Sequence, residues 1–422
     1  MGKVALRVVE SEFQVRDLEL RTLSGSQKGY QPGSEKGGHS LHYVIPSHGA
    51  LNPDVVASFI DRYTAKDEVV FDPFCSAGTT ALQANLMGRI AYFSDVDPLG
   101  VKIARAKIEP ADLTEVTLRV QQVNLRRPIN AKLFDEIFSP FYDLNTFREI
   151  YNLRTFLQQN YDRVSRFIEL AALSLLHGHS AGYFSVYTFP QLSLSPREQE
   201  EMNLKRGQTP DYRAVIPRIL RKVSSILRDG LPSAMRNVSF KNRFAASDSR
   251  SIGFVPTASV DMIMTTPPRP RCFSNSDGEN NRQNIVANAK STQKELDNSG
   301  LWLQSWFAGL NRESFKQEQH LRQQLAGVES WRDFMNESLL EMARVCKPGA
   351  RAVLELGIEV NGKDEIYLDQ ELVALVNANL ARYWQPECAF VYEARGTALE
   401  RAHGTKGRDV NKAQRYLVIK RR

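Results

Sequence analysis

The sequence predicts an α/β fold with a Rossmann-like sheet, and three observations support this prediction. Apolar strands over Val69–Asp72 and Ile90–Asp95 flank an amphipathic helix over Thr79–Leu86, and together they make a βαβ unit. The first strand ends in a glycine-containing turn, and doubly wound sheets bind nucleotides at such a turn. Strand patterns return at Val238–Ala246 and Val260–Thr265. We therefore expect a single sheet that is interrupted by an insertion.

The other elements of the sheet domain follow from the same periodicities. Apolar residues at helical spacing predict three more helices, around Pro53–Tyr63, near Leu301–Phe307 and over Ser330–Val345. Lys347-Pro348-Gly349 is typical of a turn and leads into a strand over Ala352–Leu356. Two last strand patterns, Ala389–Ala394 and Arg415–Ile419, predict a hairpin. With it, the sheet has seven strands.

The middle of the chain predicts a helical insertion. Apolar residues occur at helical spacing over Phe147–Gln158, Arg163–Leu176 and Tyr212–Leu227, with no clear strand among them. The polar stretch Thr188–Pro210 predicts a loop, and the Gly-, Ser- and Pro-rich stretch at 22–40 predicts a mobile segment.

Charge favours a polyanionic partner. The net charge is +7 and the pI is about 9.1. The second half of the insertion is rich in basic residues, namely Lys205, Arg206, Arg213, Arg218, Arg221, Lys222, Arg228, Arg236, Lys241 and Arg243. Two interpretations are open, a solvated helix face or a surface that contacts phosphates. The terminal Lys420-Arg421-Arg422 extends the second one.

Composition argues against several other classes of protein. No apolar run approaches the roughly 20 residues of a membrane helix, so we expect no membrane partner. The four cysteines are far apart and form no Cys-x-x-Cys pair. This argues against a zinc site and against a disulfide scaffold, and it favours a reducing cytoplasm.

The strongest motif follows the first strand of the βαβ unit. Gly78 lets the backbone approach a ligand, and the next helix offers its amino-terminal N–H groups. The string from Asp72 to Thr80 resembles the cofactor motif of the DNA amino-methyltransferases, usually Asp-Pro-Phe-x-Gly-x-Gly-Thr-Thr. The resemblance implies that S-adenosylmethionine is bound by Asp72, Pro73, Phe74, Cys75, Gly78, Thr79 and Thr80. Ser76 replaces the first glycine, which is tolerable if this position does not need a positive φ.

Three further segments extend the predicted cofactor site. Asp95 ends the second strand, where an acid binds ribose hydroxyls in this class of fold, while Asp97 is a candidate helix cap. Asp248 follows a later strand and, in similar methyltransferases, an acid there accepts from the cofactor's adenine amino group. An ordinary Asx turn is the alternative at Asp248. The segment with Pro46, Ser47 and His48 resembles the family's region around the methionine end of the cofactor.

The predicted catalytic loop follows the strand Val260–Thr265. Thr266, Pro267, Pro268 and Arg269 resemble the Ser/Asn/Asp-Pro-Pro-aromatic loop of the amino-methyltransferases. In that loop a side-chain oxygen and the next main-chain carbonyl accept both N–H protons of the target amine, which frees its lone pair for attack on the methyl group. The prolines keep the loop rigid.

Arg269 stands where the family has an aromatic residue that stacks on a flipped base. Its guanidinium can stack on the base or contact a phosphate. Alternatively, Phe273 or Tyr43 supplies the ring, or activity is low. A Pro-Pro turn without a function is a further alternative.

These motifs predict a methyltransferase that modifies an exocyclic amine of a DNA base, with cytosine N4 slightly favoured over adenine N6, as in restriction–modification. Its partner is then a DNA duplex with a flipped base. The alternatives are an RNA base amino-methyltransferase and a catalytically reduced protein that binds S-adenosylmethionine and DNA. We divide the chain into a mobile segment 1–40, a cofactor-binding half 41–129, the insertion 130–236, which is a candidate for target recognition, and a catalytic half 237–422.

Overall fold

A computed structural model describes residues 14–17, 38–45, 51–188, 194–270, 302–361, 364–393 and 413–422. Its centre is one mixed sheet of eight strands. These are β1 (Gln14–Asp17), β2 (Val69–Asp72), β3 (Ile90–Asp95), β4 (Arg243–Ala246), β5 (Val260–Thr265), β6 (Cys346–Leu356), β9 (Trp384–Glu393) and β10 (Ala413–Arg421). A separate hairpin pairs β7 (Ile358–Asn361) with β8 (Asp364–Tyr367).

The strand order is β4-β3-β2-β5-β6-β10-β9-β1. Only β10 is antiparallel to its neighbours, and every other pair in the sheet is parallel. After the edge strand β1, the chain enters the middle of the sheet with β2, continues outwards to β4, and returns through β5 to the other side. The fold is Rossmann-like. This reversal brings the carboxyl ends of β2 and β5 side by side, which is where open α/β sheets bind ligands.

Thirteen α-helices are present in the described ranges. The first six are α1 (Pro53–Tyr63), α2 (Thr79–Leu86), α3 (Pro98–Ile108), α4 (Leu113–Val120), α5 (Leu144–Gln159) and α6 (Arg163–Leu173). The others are α7 (Pro196–Arg206), α8 (Val215–Ile226), α9 (Ser233–Val238), α10 (Trp302–Phe307), α11 (Lys316–Gln324), α12 (Val328–Val345) and α13 (Leu368–Leu375). Short 3₁₀ or π turns occur at Ser40–Tyr43, Phe134–Phe138, Ser239–Lys241, Arg312–Phe315 and Val376–Leu380.

Helices cover both faces of the sheet, because its strands are apolar on both sides. Val70 and Phe93 belong to one buried cluster, which includes residues of α1 to α3 and of the insertion. Val69 and Phe71 face a second cluster, which includes α12 and α13. Alternate residues of a strand point to opposite faces, so this division follows from the pleat. The near-continuous apolar runs are typical of a parallel sheet with both faces covered.

Most predicted elements are confirmed, several with the same bounds. The helix Thr79–Leu86 and the strands Ile90–Asp95 and Val260–Thr265 lie where the periodicity predicts them. The predicted turn at Lys347-Pro348-Gly349 is a bulge within β6. There Val260 pairs with Cys346 but Met262 pairs with Arg351, so a longer stretch of β6 stands opposite a single residue of β5.

Two segment predictions are wrong. The stretch Val238–Ala246 is a strand only over Arg243–Ala246, because α9 and a 3₁₀ turn occupy its first half. The predicted loop Thr188–Pro210 contains α7, which begins with a capping box between Ser195 and Glu198 and ends at Gly207 in the left-handed region. This helix is mostly polar, so apolar periodicity does not detect it, although its caps are visible in the sequence.

The sheet also has one strand more than predicted. Seven strands form the expected sheet, and β1 is added at the edge, parallel to β9. This strand lies in the segment 1–40, for which we predicted mobility. The rest of that segment, apart from residues 38–40, lies outside the described residues.

The helical insertion packs directly on the α/β part of the chain. Helix α6 lies against α3, where Lys102 and Glu169 are 3.3 Å apart and Arg166 and Glu109 are 2.5 Å apart. Phe147 stacks on Phe138, with ring centroids 4.7 Å apart, inside the same buried cluster as the sheet residues. The four-part division stays a prediction. Within the described ranges, no helix is both long and apolar enough to cross a bilayer.

Candidate cofactor site and catalytic loop

The turn after β2 packs closely against α3 because Gly78 has no side chain. The φ of Gly78 is 78°, in the left-handed region that favours glycine. A Cβ at this position would lie 2.5 Å from the Cβ of Ala104 on α3. The N–H of Gly78 donates to the Cys75 carbonyl at 2.7 Å and closes the turn. Gly78 therefore serves both the turn and its packing.

Ser76 also takes a left-handed conformation, with φ of 44°. The condition for tolerating serine in place of the family's glycine is thus not met, and the position carries strain. Its N–H donates to the Asp95 carboxylate at 2.7 Å. A Cβ on Gly100 would lie 2.8 Å from the Ser76 carbonyl oxygen, so α3 packs close to this part of the turn as well.

Asp72 is buried at the base of the turn and links it to the neighbouring strand. The hydroxyl of Thr265, the last residue of β5, donates to its carboxylate at 2.5 Å, and the Phe74 N–H donates at 3.1 Å. Burial raises the pKa of Asp72 to about 6, against the opposing effect of these hydrogen bonds. A second link joins the Thr80 hydroxyl to the Met264 carbonyl at 3.1 Å.

Asp95 and Asp97 form an acidic pair after β3. Asp95 accepts from the N–H groups of Ser76 at 2.7 Å and of Asp97 at 3.0 Å, and burial raises its pKa to about 6. Asp97 caps α3 by accepting from the Leu99 N–H at 2.8 Å, as proposed for it. Burial, followed by the negative charges of Glu318 and Asp95, raises the pKa of Asp97 to about 7. The site therefore brings together two buried carboxyl groups with raised pKa values.

Asp248 forms the Asx turn that was the alternative to an adenine contact. Its carboxylate accepts from the backbone N–H of Arg250 at 2.9 Å and from the Arg250 guanidinium at 2.7 Å. Burial opposes ionisation, but the bonds and charge of Arg250 leave the pKa of Asp248 below its ordinary value. The adenine contact stays a prediction. Nearby, Phe74 packs against Phe334, with ring centroids 6.0 Å apart.

A buried lysine, which sequence reasoning missed, supports the turn from behind. Lys107 on α3 is 1% exposed and donates to the Ala77 carbonyl at 2.8 Å. Burial lowers its pKa to about 8. It is three residues after Ala104, so both face the turn from one side of α3. A lysine on a helix gives no local sequence signal for this role.

The catalytic loop is fixed at its second proline. The indole N–H of Trp331, on α12, donates to the Pro268 carbonyl at 2.7 Å. The hydroxyl oxygen of Thr266 is buried and has no hydrogen-bond partner among the described residues. It nevertheless lies close enough to the Glu355 carboxylate on β6 to lower its pKa. Thr266 thus presents a buried hydroxyl beside a buried acid.

Arg269 lies between two glutamates. Its guanidinium nitrogens are 3.6 Å from a Glu355 oxygen and 3.5 Å from a Glu359 oxygen. A Cβ on Gly357 would lie 2.5 Å from the guanidinium carbon, so the group rests on bare backbone. Glu355, Gly357 and Glu359 were not among the sequence candidates. These residues alternate along the end of a strand, and this pattern alone does not indicate a function when the partner, Arg269, is unknown.

Several predicted positions lie outside the described residues. They are Pro46, Ser47 and His48 at the expected methionine end of the cofactor, and Phe273 as an alternative stacking ring. Tyr43, the other candidate ring, is half-exposed.

Comparison with known proteins gives partial matches. No family model matches the chain. Over 127 residues it is 24% identical to the type II methyltransferase M.MjaII of Methanocaldococcus jannaschii, a match that covers 30% of this chain and 24% of that protein. The chain thus spans about a quarter of the length of that relative.

Solved structures give similarly distant matches. TrmN from Thermus thermophilus is matched over 89% of this chain and 50% of its own, with 13% identity and a TM-score of 0.33. A SAM-dependent methyltransferase from Methanosarcina mazei is matched over 86% of this chain and 96% of its own, with 9% identity and a TM-score of 0.31. The rRNA methyltransferase aviRa from Streptomyces viridochromogenes is matched over 90% of this chain and 91% of its own, with 11% identity and a TM-score of 0.28. With TM-scores this low, the fold assignment rests on the strand order of this chain.

The basic residues of the insertion divide into internal and exposed ones. Arg213 is buried and donates to the Ser185 carbonyl and to Asp211, and Arg218 donates to the Ala181 carbonyl at 3.1 Å. Seven others are exposed, namely Lys205, Arg206, Arg221, Arg228, Arg236, Lys241 and Arg243. Of these, Arg228 is paired with Asp229 and Lys241 with Asp67. Only a part of the predicted basic set is therefore available to phosphates.

Proposed function

We propose that this chain is a methyltransferase that uses S-adenosylmethionine to modify an exocyclic amine of a DNA base. The observation that carries the proposal is the junction of the two motifs. The turn after β2 and the loop after β5 lie side by side, and the bond between Thr265 and Asp72 joins them at 2.5 Å. A methyl donor and an acceptor amine must meet at such a junction. The partial match to a type II methyltransferase supports the same chemistry.

S-adenosylmethionine is the expected cofactor, and the residues of the turn fit it. Each carboxylate oxygen of Asp95 accepts one backbone N–H and keeps a lone pair for a ribose hydroxyl. No side chain caps α2 at Gly78, so its first N–H groups are available to the ligand. The negative charge of the site suits a sulfonium cation. When bound, the cofactor supplies an electrophilic methyl group.

The loop after β5 provides the acceptors for the target amine. In our proposal the Thr266 oxygen and the Pro267 carbonyl accept its two N–H protons. The Pro268 carbonyl already accepts a hydrogen bond from the Trp331 indole N–H. In our proposal this bond anchors the loop, and the amine does not use that oxygen. A loop fixed in advance stabilises the reacting geometry without reorganising during the reaction.

We propose DNA as the polymer and slightly favour cytosine N4 over adenine N6, because the loop lacks the Asp of many adenine enzymes. The exposed basic residues of the insertion would contact phosphates and so position the duplex, while base contacts select the target.

Transfer of tritium from labelled S-adenosylmethionine to duplex DNA, single-stranded DNA and RNA tests the proposal, with the product nucleosides separated by chromatography. We expect label in N4-methylcytosine from DNA. Label in N6-methyladenine would change the target base, and label only in RNA would exclude DNA as the substrate. Cofactor binding without transfer to any polymer would contradict an enzymatic function.

The variant Asp95→Asn tests the cofactor site separately. It removes the charge beside the expected ribose, and we expect calorimetry to give a cofactor Kd weaker by about tenfold to a hundredfold, as for a lost charged hydrogen bond. Asp162→Asn is the matched control, since the Asp162 carboxylate also accepts a backbone N–H but lies on the insertion. An equal effect of both variants would refute the assignment of Asp95.

A further inference from the structure

A carboxylate that the loop motif does not contain lies beside the loop. Glu355 stands near the end of β6, next to β5 in the sheet, where Thr265 pairs with Leu354. Its side chain is only 8% exposed. Burying a charged carboxylate is costly unless it is paired. A buried acid at the edge of a proposed active site therefore calls for a chemical explanation.

Glu355 and Thr266 directly follow the strand partners Leu354 and Thr265, so they are neighbours across the two strands. Burial raises its pKa, while the charge of Arg269 and the Thr266 hydroxyl lower it. From the neighbouring strand β10, Tyr416 pairs with Glu355 in the sheet, and Glu359 holds the other side of the Arg269 guanidinium at 3.5 Å. Arg269 is half-exposed but is held towards Glu355, which favours a role in holding this acid.

Methylation of an amine leaves a proton to be removed. The Thr266 hydroxyl is able to accept a hydrogen bond from the amine, but a neutral hydroxyl does not keep an additional proton at neutral pH. An acidic residue at its position would do both, and this chain lacks one there. The orphaned hydroxyl of Thr266 points to a relay instead, since it is able to accept from the amine and donate to a nearby acceptor.

We propose that Glu355 is the proton acceptor of the methyl transfer and acts through Thr266, with Arg269 as the residue that positions it. This inference rests on the proposed function. The amine nitrogen forms a bond to the methyl carbon while the S–CH₃ bond breaks and its electron pair stays on sulfur. The amine proton passes to the Thr266 oxygen as the hydroxyl proton passes to Glu355. The resulting carboxylic acid then releases its proton to solvent.

Single-turnover transfer with saturating cofactor tests the relay, because saturation removes the contribution of cofactor binding. We expect the wild-type rate to rise with pH as Glu355 ionises. Glu355→Gln should lower the rate at neutral pH by about a hundredfold or more, as for loss of a general base, and should abolish this rise. Thr266→Val should have the same effect, and Glu355→Asp should restore part of the rate. Glu359→Gln, which also borders Arg269, should keep the shape of the profile.

A second readout does not depend on transfer. Infrared difference spectra of wild type and Glu355→Gln, without cofactor, follow the titration of the Glu355 carboxyl. Thr266→Val should raise its pKa, since the hydroxyl that lowers it is removed. Absence of any such change would refute the contact on which the relay depends.

The outcomes separate the two proposals. Wild-type transfer with an unchanged pH profile in Glu355→Gln would overturn the relay alone. No transfer by the wild type to any polymer would overturn the proposed function and the relay with it. Wild-type-like thermal unfolding and cofactor Kd in Glu355→Gln would show that the loss is not one of folding.

Discussion

The turn after β2 and the loop after β5 lie at the same edge of one sheet, but they are stabilised differently. In and around the turn, buried carboxylates accept hydrogen bonds from nearby backbone N–H groups. Asp72 accepts from the N–H of Phe74, and Asp95 accepts from the N–H of Asp97. In the loop, the partners come from distant parts of the chain, since Trp331 holds Pro268 and Glu355 lies beside Arg269. A local motif therefore describes the turn well and the loop poorly.

This difference explains how the loop tolerates an unusual residue. Arg269 departs from the family's aromatic residue, yet its guanidinium has two acids and the bare backbone of Gly357 around it. The surrounding structure has adapted to an arginine. In the turn, Ser76 stands where the family has glycine and still takes a positive φ.

The largest expected effect is on the packing of the turn. Gly78→Ala adds a methyl group that would meet Ala104 at 2.5 Å, in a backbone conformation that disfavours it. We expect a loss of about 2–5 kcal/mol in the free energy of unfolding, from overpacking together with left-handed strain. Urea denaturation measures it. Gly230→Ala is the control, because Gly230 has a similar φ of 73° with nothing within 4 Å of the added Cβ. Equal losses in both would mean that α3 does not constrain the turn.

The next effect is a pH dependence of cofactor affinity, which we expect to arise at Asp95. Ribose hydroxyls donate better to an ionised Asp95, whose pKa is about 6. We expect cofactor affinity by calorimetry to weaken about tenfold between pH 7 and pH 5 for each group that must ionise. Asp95→Asn should flatten this dependence. An affinity that is constant between these pH values in the wild type would contradict the raised pKa.

Stability of the cofactor-free protein should change in the opposite sense. Asp72, Asp95 and Asp97 have raised pKa values in the folded state, of about 6, 6 and 7. Their protonation favours folding, so this contribution is fully present below the unfolded pKa near 4 and is lost as the pH rises through 6 to 7. Thermal unfolding of Asp97→Asn and of the wild type, each at the low and the high end of this pH range, isolates the contribution of Asp97 to the pH dependence of stability. An equal stability difference at both ends would count against the raised pKa.

A smaller effect tests the adaptation of the loop to Arg269. Gly357 does not have a positive φ, so Gly357→Ala should be costly only because its Cβ meets the Arg269 guanidinium at 2.5 Å. The guanidinium is the end of a flexible side chain, and we expect a loss of about 1 kcal/mol. In an Arg269→Ala background the same change should be close to neutral. Urea denaturation of the four proteins in this cycle gives the coupling energy, and additive effects would mean that the two residues do not touch.

The smallest expected effect is a gain in stability. Ser76→Gly relieves a left-handed backbone but increases the freedom of the unfolded chain, so we expect a net gain of about 0.5–1 kcal/mol. Ser239→Gly is a suitable control, because Ser239 has an ordinary φ of −56° and should lose stability. A loss in Ser76→Gly would indicate that its side chain contributes more than the strain costs.

Helix prediction shows the same contrast between local and distant information. The amphipathic helices, such as Pro53–Tyr63, were predicted from apolar periodicity, because their buried face leaves a regular pattern. Helix α7 was missed, since little of it is buried and only its caps mark it. Strand β1 was missed as well. A four-residue edge strand depends on the partner that it pairs with, here β9, and that partner is about 370 residues away.

The sequence by itself determined the Rossmann-like sheet, the turn from Asp72 to Gly78 and the loop from Thr266 to Arg269. The strands, the turn and the loop each show a pattern among residues that are adjacent in the chain, so local periodicity and turn chemistry are sufficient to predict them. Only the tertiary structure decided that Thr265 binds Asp72, that Lys107 supports the turn, and that Glu355 and Glu359 flank Arg269. Those contacts join strands and helices that are distant in sequence, and the strand order of the sheet is what brings them together.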